Sequence, residues 1–288
     1  MNHILDLDKQ QNELNQLFKK IAEGNSIAFL GAGASVGEKR YLSKEIIANY
    51  ELYLGYSLDE PDITKFVDML SADPNFDRNH FDAEVVKMLE NYKITKAHEI
   101  FASIPWREII TTNYDLLIEK AFDEIKSTSN HIFDLKLIKK PSEYHYNHSN
   151  SEIRYIKLNG CISDKRLYPL AFSSEDFNQL NKFYKLVLND LKNLSDDISL
   201  LSFGYSFSDD FGKRIMEKYD SYNFRERKLI YNIDPFPNEK ILPYYTQRRI
   251  CIIKCTFQEF FEKYHKWLDD QLDHVIRRKK IAFHMCFI

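Results

Sequence analysis

Glycine is scarce in this chain, with eight residues in 288, so where the few glycines stand carries information. An excess of charge is also missing. A formal net charge of −3 gives no general pull toward nucleic acid or an anionic membrane, so a nucleic-acid partner is not indicated. Cysteine is sparse, at Cys161, Cys251, Cys255 and Cys286, and no CxxC pair occurs. That excludes a zinc ribbon, and the four read as buried thiols in a reducing compartment with no metal expected. No stretch approaches the roughly 18 apolar residues of a membrane span. Met1 to Lys20 is polar and patterned as a helix, unlike a signal peptide. These absences place the chain in the cytoplasm with no membrane partner. No internal repeat or low-complexity tract is present. The hydrophobic content of 44% and charged content of 29% are those of a globular chain, long enough to bury a sizeable core.

Five of the eight glycines fall in three short segments: Gly31-Ala32-Gly33-Ala34-Ser35-Val36-Gly37, Asn159-Gly160 and Gly204-Tyr205-Ser206. The first follows Ile27-Ala28-Phe29-Leu30, a run that reads as a buried strand. A strand, a glycine-rich turn and a helix together form a phosphate cradle. Lacking a Cβ, the glycines let the backbone approach a ligand, and the first helical N–H groups face the anion.

The pattern predicts strands at residues 27–30, 108–112, 153–158, 198–203, 228–233 and 249–254. Helices are predicted over Leu5 to Ile21, Phe177 to Leu194 and Phe257 to Arg278, with another starting at Leu116. Residues 41–104 show four helical stretches and little strand signal. The expected division is an N-terminal helix at 1–24, a nucleotide-binding core at 25–40 and 105–280, a helical insertion at 41–104 and a tail at 281–288. Strands alternating with helices predict an α/β fold: a Rossmann-like parallel sheet with helices on both faces and no zinc ribbon. The polar clusters each follow a strand, which is where open α/β sheets bind ligands. The tail Ile281-Ala282-Phe283-His284-Met285-Cys286-Phe287-Ile288 is hydrophobic. It reads as a surface for a partner, as continuation into a longer protein, or as residues left by cloning.

In this order the motifs resemble the sirtuin family. Gly31-Ala32-Gly33-Ala34-Ser35 is similar to its GAGxS loop, and Thr111-Thr112-Asn113-Tyr114-Asp115 to its TQNID segment. Leu158-Asn159-Gly160 is similar to LHG, Gly204-Tyr205-Ser206 to GTS, and Asn232-Ile233-Asp234 to NxE. Trp106-Arg107 before the second motif, and Phe203 to Asp210, resemble the zinc-free bacterial branch associated with antiphage defence. That resemblance implies an NAD glycohydrolase, releasing ADP-ribose and nicotinamide, with NAD as substrate rather than a bound metal as cofactor. It implies a homo-oligomer, with further domains or a partner protein sensing phage.

By the same resemblance, Gly31, Ala32 and Gly33 hold the diphosphate, and Ser35 adds a hydroxyl. Gly204 and Ser206 contact the adenosine ribose or phosphate. Asn232 and Asp234 hold the ribose hydroxyls. Asp115 binds the nicotinamide carboxamide, and Asn113 orients the water or the ribose. The main departure is Asn159, which stands where the family has a catalytic histidine. An imidazole takes a proton near pH 7 and an amide does not. Asn159 therefore predicts an impaired enzyme, and two origins compete: a deliberate substitution that silences a toxic activity, or a natural residue. The natural origin fits a weak enzyme or a non-catalytic module that senses NAD or ADP-ribose within a larger signalling assembly. His145 and His148 read as surface loop residues and His98 as structural. Thr112 replaces the family's glutamine, and Arg40 is a loose equivalent of the family's nicotinamide-covering arginine. A deacylase is disfavoured by the missing zinc cysteines. A dehydrogenase is disfavoured because the loop is not GxGxxG and no acidic residue follows a second strand about 20 positions on.

Overall fold

In the computed structural model, residues 4–7, 9–35, 43–128, 133–144, 151–164, 170–195, 197–207, 210–220, 229–237, 240 and 242–285 are described. Arg40, His145, His148 and Cys286 lie outside them. Strands β1 (Ile4–Leu5), β2 (Ser26–Leu30), β3 (Glu108–Thr111), β4 (Asp134–Ile138), β5 (Glu152–Lys157), β6 (Ser199–Phe203), β7 (Ile230–Ile233) and β8 (Ile250–Ile253) form one sheet. Its order is β1-β8-β7-β6-β2-β3-β5-β4, and every described pairing is parallel. The Rossmann-like expectation holds.

The sheet is apolar on both faces because both are covered. In β2, Ala28 and Leu30 point into one core, while Ile27 and Phe29 point into the other. The first core is filled by α1 (Gln11–Ala22), α6 (Lys96–Ala102), α7 (Leu117–Thr128) and α12 (Phe257–Met285). Phe257, Phe260, Phe261 and Tyr264 of α12 recur at helical spacing and are buried there. The second core takes Phe183, Tyr184 and Val187 from α9 (Asn181–Lys192) and Phe211, Ile215 and Met216 from α10 (Asp210–Asp220).

Three further helices, α3 (Ser43–Leu54), α4 (Ile63–Ser71) and α5 (Arg78–Glu90), make a small core of their own around Tyr50, Phe66 and Phe81. Asp62 and Asp77 start α4 and α5 by accepting their first backbone N–H groups. This core also takes in Ile162, Leu170 and Phe172, from the segment after β5. Arg78 of α5 reaches the same segment, 3.0 Å from Asp176, the third residue of α8 (Ser174–Gln179). By contrast α6, grouped with the insertion on sequence, packs on the main sheet through Ala97, Ile100 and Phe101.

Two short strands were not predicted. Residues 4–5 form a strand rather than the start of the first helix, because Leu5 pairs with Ile253 at the sheet edge. The other is β4, where Asp134 and Lys136 break the apolar run, as an edge strand permits.

The parallel register brings the strand ends into one row. Leu30 lies opposite both Thr111 and Phe203, Thr111 opposite Lys157, and Phe203 opposite Ile233. The loops beginning at Gly31, Thr112, Leu158, Gly204 and Asp234 therefore all emerge from the carboxyl edge. Across the middle of that edge, a Cβ on Gly204 would sit 2.3 Å from the Gly33 Cα, and Gly204 has a φ of 57°. Gly204→Ala is expected to cost more than about 3 kcal/mol or to abolish soluble expression, by clash and strain together. Gly55→Ala, also at positive φ but facing open space, should cost only ~1–2 kcal/mol. Urea unfolding of the two variants checks the contrast, which equal losses would contradict.

Candidate active site

The loop after β2 turns directly into a short helix, α2 (Ala32–Ser35). Its glycines meet protein backbone. The Gly31 N–H donates to the Phe203 carbonyl and the Gly33 N–H to the Gly204 carbonyl, each at 3.0 Å. A Cβ on Gly31 or Gly33 would fall 2.5–2.7 Å from the Gly204–Tyr205 backbone. The glycines thus make the contact between the two loops. Ala32 is exposed beside them.

Ser35, Asn113 and Asp115 are brought together although 78 to 80 positions separate Ser35 from the other two. The Asn113 side-chain amide donates to the Gly31 carbonyl and to the Ser35 hydroxyl, both at 2.8 Å. Ser35 in turn donates to Asp115 Oδ2 at 2.6 Å. Asp115 Oδ1 accepts the Leu117 N–H at 3.0 Å and so starts α7. Thr111 sets the entry to the turn: its hydroxyl donates to the Leu30 carbonyl and accepts the Asn113 N–H. The network is directional, running from Asn113 through Ser35 to the Asp115 carboxylate. A small cavity lies against it, lined by Ala34, Ser35, His98, Asn113, Asp115 and Tyr155 among others.

His98, on α6, closes that cavity from below. Its Nδ1 accepts the Thr95 N–H at 3.1 Å, so the neutral ring carries its proton on Nε2 and donates it to the Ala34 carbonyl, also at 3.1 Å. Burial pushes the imidazole below its ordinary value, against the opposing pull of Asp115 and the Ala34 carbonyl. The ring is buried and bonded within the protein, and it supports the Ser35 loop through the Ala34 carbonyl.

Asn159 follows β5 and is buried, with its side-chain oxygen accepting the Tyr184 hydroxyl at 2.7 Å. Its carbonyl accepts the Ala171 N–H, and the Ala171 carbonyl accepts the Tyr114 hydroxyl at 2.6 Å. Asn159 is thereby tied to the Asn113–Asp115 turn through Ala171.

On the other side of β2, Asp234 sits just past β7, half-buried. Its Oδ1 accepts the Phe236 N–H at 2.9 Å, forming a turn. Asn232, also expected at the ligand, is fully buried. Its Oδ1 accepts the Ser202 hydroxyl at 2.6 Å between neighbouring strands, so it fixes the sheet below the edge. Ser206 is exposed. Sequence reasoning passed over Lys157 and Tyr184. A lysine inside the apolar run Tyr155-Ile156-Lys157-Leu158 was the available signal for the first. Nothing local marked Tyr184, one of several apolar-face residues on α9.

No group of three or more histidine, cysteine or acidic residues is arranged to hold a metal among the described residues. Among them, too, no helix is long and apolar enough to cross a membrane.

Residues 107–253 match the SIR2-like domain, a protein family described by that name. The chain is also similar to proteins named NAD(+) hydrolase ThsA. The one from Cytobacillus dafuensis is 25% identical over 203 residues, covering 68% of this chain and 38% of that protein. The one from Enterococcus faecium is 24% identical over 206 residues, covering 70% and 41%. The one from Acinetobacter baumannii is 27% identical over 135 residues, covering 44% and 28%. The chain spans less than half the length of these curated relatives.

Protonation of His98 would cost its Nδ1 the Thr95 N–H and leave the Thr95 hydroxyl oxygen, 2.9 Å away, as its partner. The folded state holds the imidazole below its ordinary value. Its contribution to stability is therefore complete above the unfolded value of about 6.5 and is lost as pH falls through the depressed folded value. Urea midpoints of the unsubstituted chain should fall more steeply between pH 7 and pH 5 than those of His98→Gln. Parallel curves would contradict this role.

Proposed function

This chain belongs to the SIR2-like domain family, and from that premise we propose that it is an NAD-binding domain built for hydrolysis of NAD to ADP-ribose and nicotinamide. In its natural assembly it would act as an antiphage effector that depletes NAD. The observation that carries the reading is the Asn113–Ser35–Asp115 network at the carboxyl edge of a wholly parallel sheet, where α/β folds bind nucleotides. Its likeness to three proteins named NAD(+) hydrolase supports the same chemistry.

The glycosidic bond to nicotinamide breaks through an oxocarbenium-like state, whose charge develops on the ribose. A protein accelerates this by fixing the leaving group, excluding bulk water and holding one water at the reacting carbon. Asp115 would take the carboxamide N–H groups. Its carboxylate has about four acceptor positions, of which Ser35 and Leu117 use two. Asn113 spends both amide protons on Gly31 and Ser35, so its Oδ1 is the atom that would orient a ribose hydroxyl or the water. Asp234 would accept from the adenosine ribose. With the Gly31 and Gly33 N–H groups bonded within the protein, the diphosphate would rest on the remaining loop groups around Ala32, Ser35 and Ser206. The core of α3, α4 and α5, seated on the segment after Asn159, would limit water entry.

Asn159 sets the rate. Its buried amide accepts from Tyr184 and offers no base, so the chain would bind NAD with little turnover. This favours one second reading: the domain senses NAD or ADP-ribose without consuming it. Asn159→His separates the two. The hydrolase reading expects nicotinamide release to rise ~10²–10⁴-fold over the parent once the protein is assembled, as follows from restoring a general base. A folded Asn159→His protein that binds NAD but releases no nicotinamide would sink the hydrolase reading in favour of the sensor.

A further inference from the structure

Lys157 is the least expected group in the core. It ends β5, and its side chain has no exposed surface. A buried ammonium is costly unless it is paired and hydrogen-bonded. Lys157 meets both conditions at a single place. Its Nζ donates to the Asp115 carbonyl in a short contact, lies 3.5 Å from the Tyr114 carbonyl, and pairs with Glu119 Oε1 at 3.0 Å. Glu119 is on the first turn of α7. The two carbonyls belong to the turn that presents Asn113 and Asp115.

We infer that Lys157 is the positioning residue that holds the Asn113–Asp115 turn in its ligand-binding geometry, with Glu119 as its counter-ion. Its effect on turnover rests on the NAD-hydrolase reading, whereas its effect on the turn does not. The ammonium on the Asp115 carbonyl and the Ile162 N–H, 2.9 Å from the Tyr114 carbonyl, together fix two successive peptide planes. Those planes aim the Asp115 side chain, whose two oxygens meet Ser35 and the Leu117 N–H. Without the ammonium, the Asp115 carbonyl would lose its partner next to an unpaired carboxylate, and the turn would shift about Asp115 while the Tyr114 carbonyl keeps the Ile162 N–H. The clamp also ties three elements into one unit: the end of β5, the turn after β3 and the start of α7.

The charged and titratable groups facing Lys157 are Glu119 on α7, Asp115 in the turn, Cys161 beyond β5 and Tyr155 on its own strand, whose ring centre lies 5.6 Å away. Burial pushes the ammonium down. Glu119, Cys161 and Asp115 outweigh it and hold Lys157 above its ordinary value, so it is charged at neutral pH. Removing the charge of Glu119 removes the largest of those attractions. In Glu119→Gln the lysine would lose its proton at a lower pH, and the clamp would weaken on the alkaline side.

Two arms test this. Hydrogen exchange by mass spectrometry on the ligand-free protein reads the turn directly. Lys157→Met should exchange on the order of tenfold faster across residues 112–118, with β2 and β6 unchanged, because only the local opening becomes easier. In an Asn159→His background, Lys157→Met should lower kcat about 10²-fold, the scale expected when reacting groups are misplaced, with a smaller change in KM. Glu119→Gln should keep its rate near neutrality and lose it with rising pH earlier than Asn159→His alone. Parental exchange at 112–118 in folded Lys157→Met would overturn the inference. If Lys157→Met does not fold, Glu119→Gln decides: a pH profile and exchange pattern equal to its parent would overturn it. An inert Asn159→His protein would defeat the hydrolase reading, and the exchange arm would still decide the clamp.

Discussion

Backbone meets backbone where the loop after β2 touches the loop after β6. Gly31 and Gly33 donate into Phe203 and Gly204, and no Cβ fits on either side of the contact. The remaining site geometry depends on this closeness. It sets where α2 begins, and hence where Ser35 stands. Ser35 then receives Asn113 and donates to Asp115. A bulkier residue at Gly33 or Gly204 would separate the central strands' loops and move Ser35 away from the turn after β3. A glycine-rich loop is usually read as room for a phosphate. Here the same residues make room for a neighbouring loop.

The sheet supplies the second constraint. Because β2 lies between β3 and β6 and all three run the same way, their carboxyl ends open side by side. Polar groups that would be costly in the core are affordable there only when each finds a partner. The Asn113–Ser35–Asp115 chain, the His98 bridge to Ala34 and the Lys157 ammonium on Glu119 Oε1 are three such solutions. Each serves the geometry of its neighbour as well as its own burial. Asn159 is a fourth, satisfied by Tyr184 without supplying a base.

Much of this was legible in the sequence. The buried strands announced themselves through apolar runs such as Ile27–Leu30 and Ile198–Phe203, and the glycine clusters marked the loops that touch. The motif order pointed to the family, which the SIR2-like match over residues 107–253 shows. The unread parts were set by tertiary context. Residues 4–5 form a strand only because Ile252 and Ile253 offer an edge. Periodicity placed α6 with the insertion helices, but its apolar face packs on the main sheet. That Asn232 also accepts a hydrogen bond from Ser202 on the neighbouring strand depends on the β6–β7 register, which the sequence does not display. Lys157 reads as an interruption in an apolar strand until the carbonyls of Tyr114 and Asp115 are seen converging on it.

The central claim is that the carboxyl edge, organised around Asp115, receives NAD. Isothermal titration calorimetry of this chain and of its Asp115→Ala variant with NAD and with ADP-ribose tests it most directly. The account predicts one site per chain for NAD, weakened at least about tenfold by Asp115→Ala, the scale of a lost hydrogen bond to a charged group. ADP-ribose, which lacks the carboxamide, should be affected less. No heat with either ligand on folded protein, or equal NAD affinity in both proteins, would contradict it.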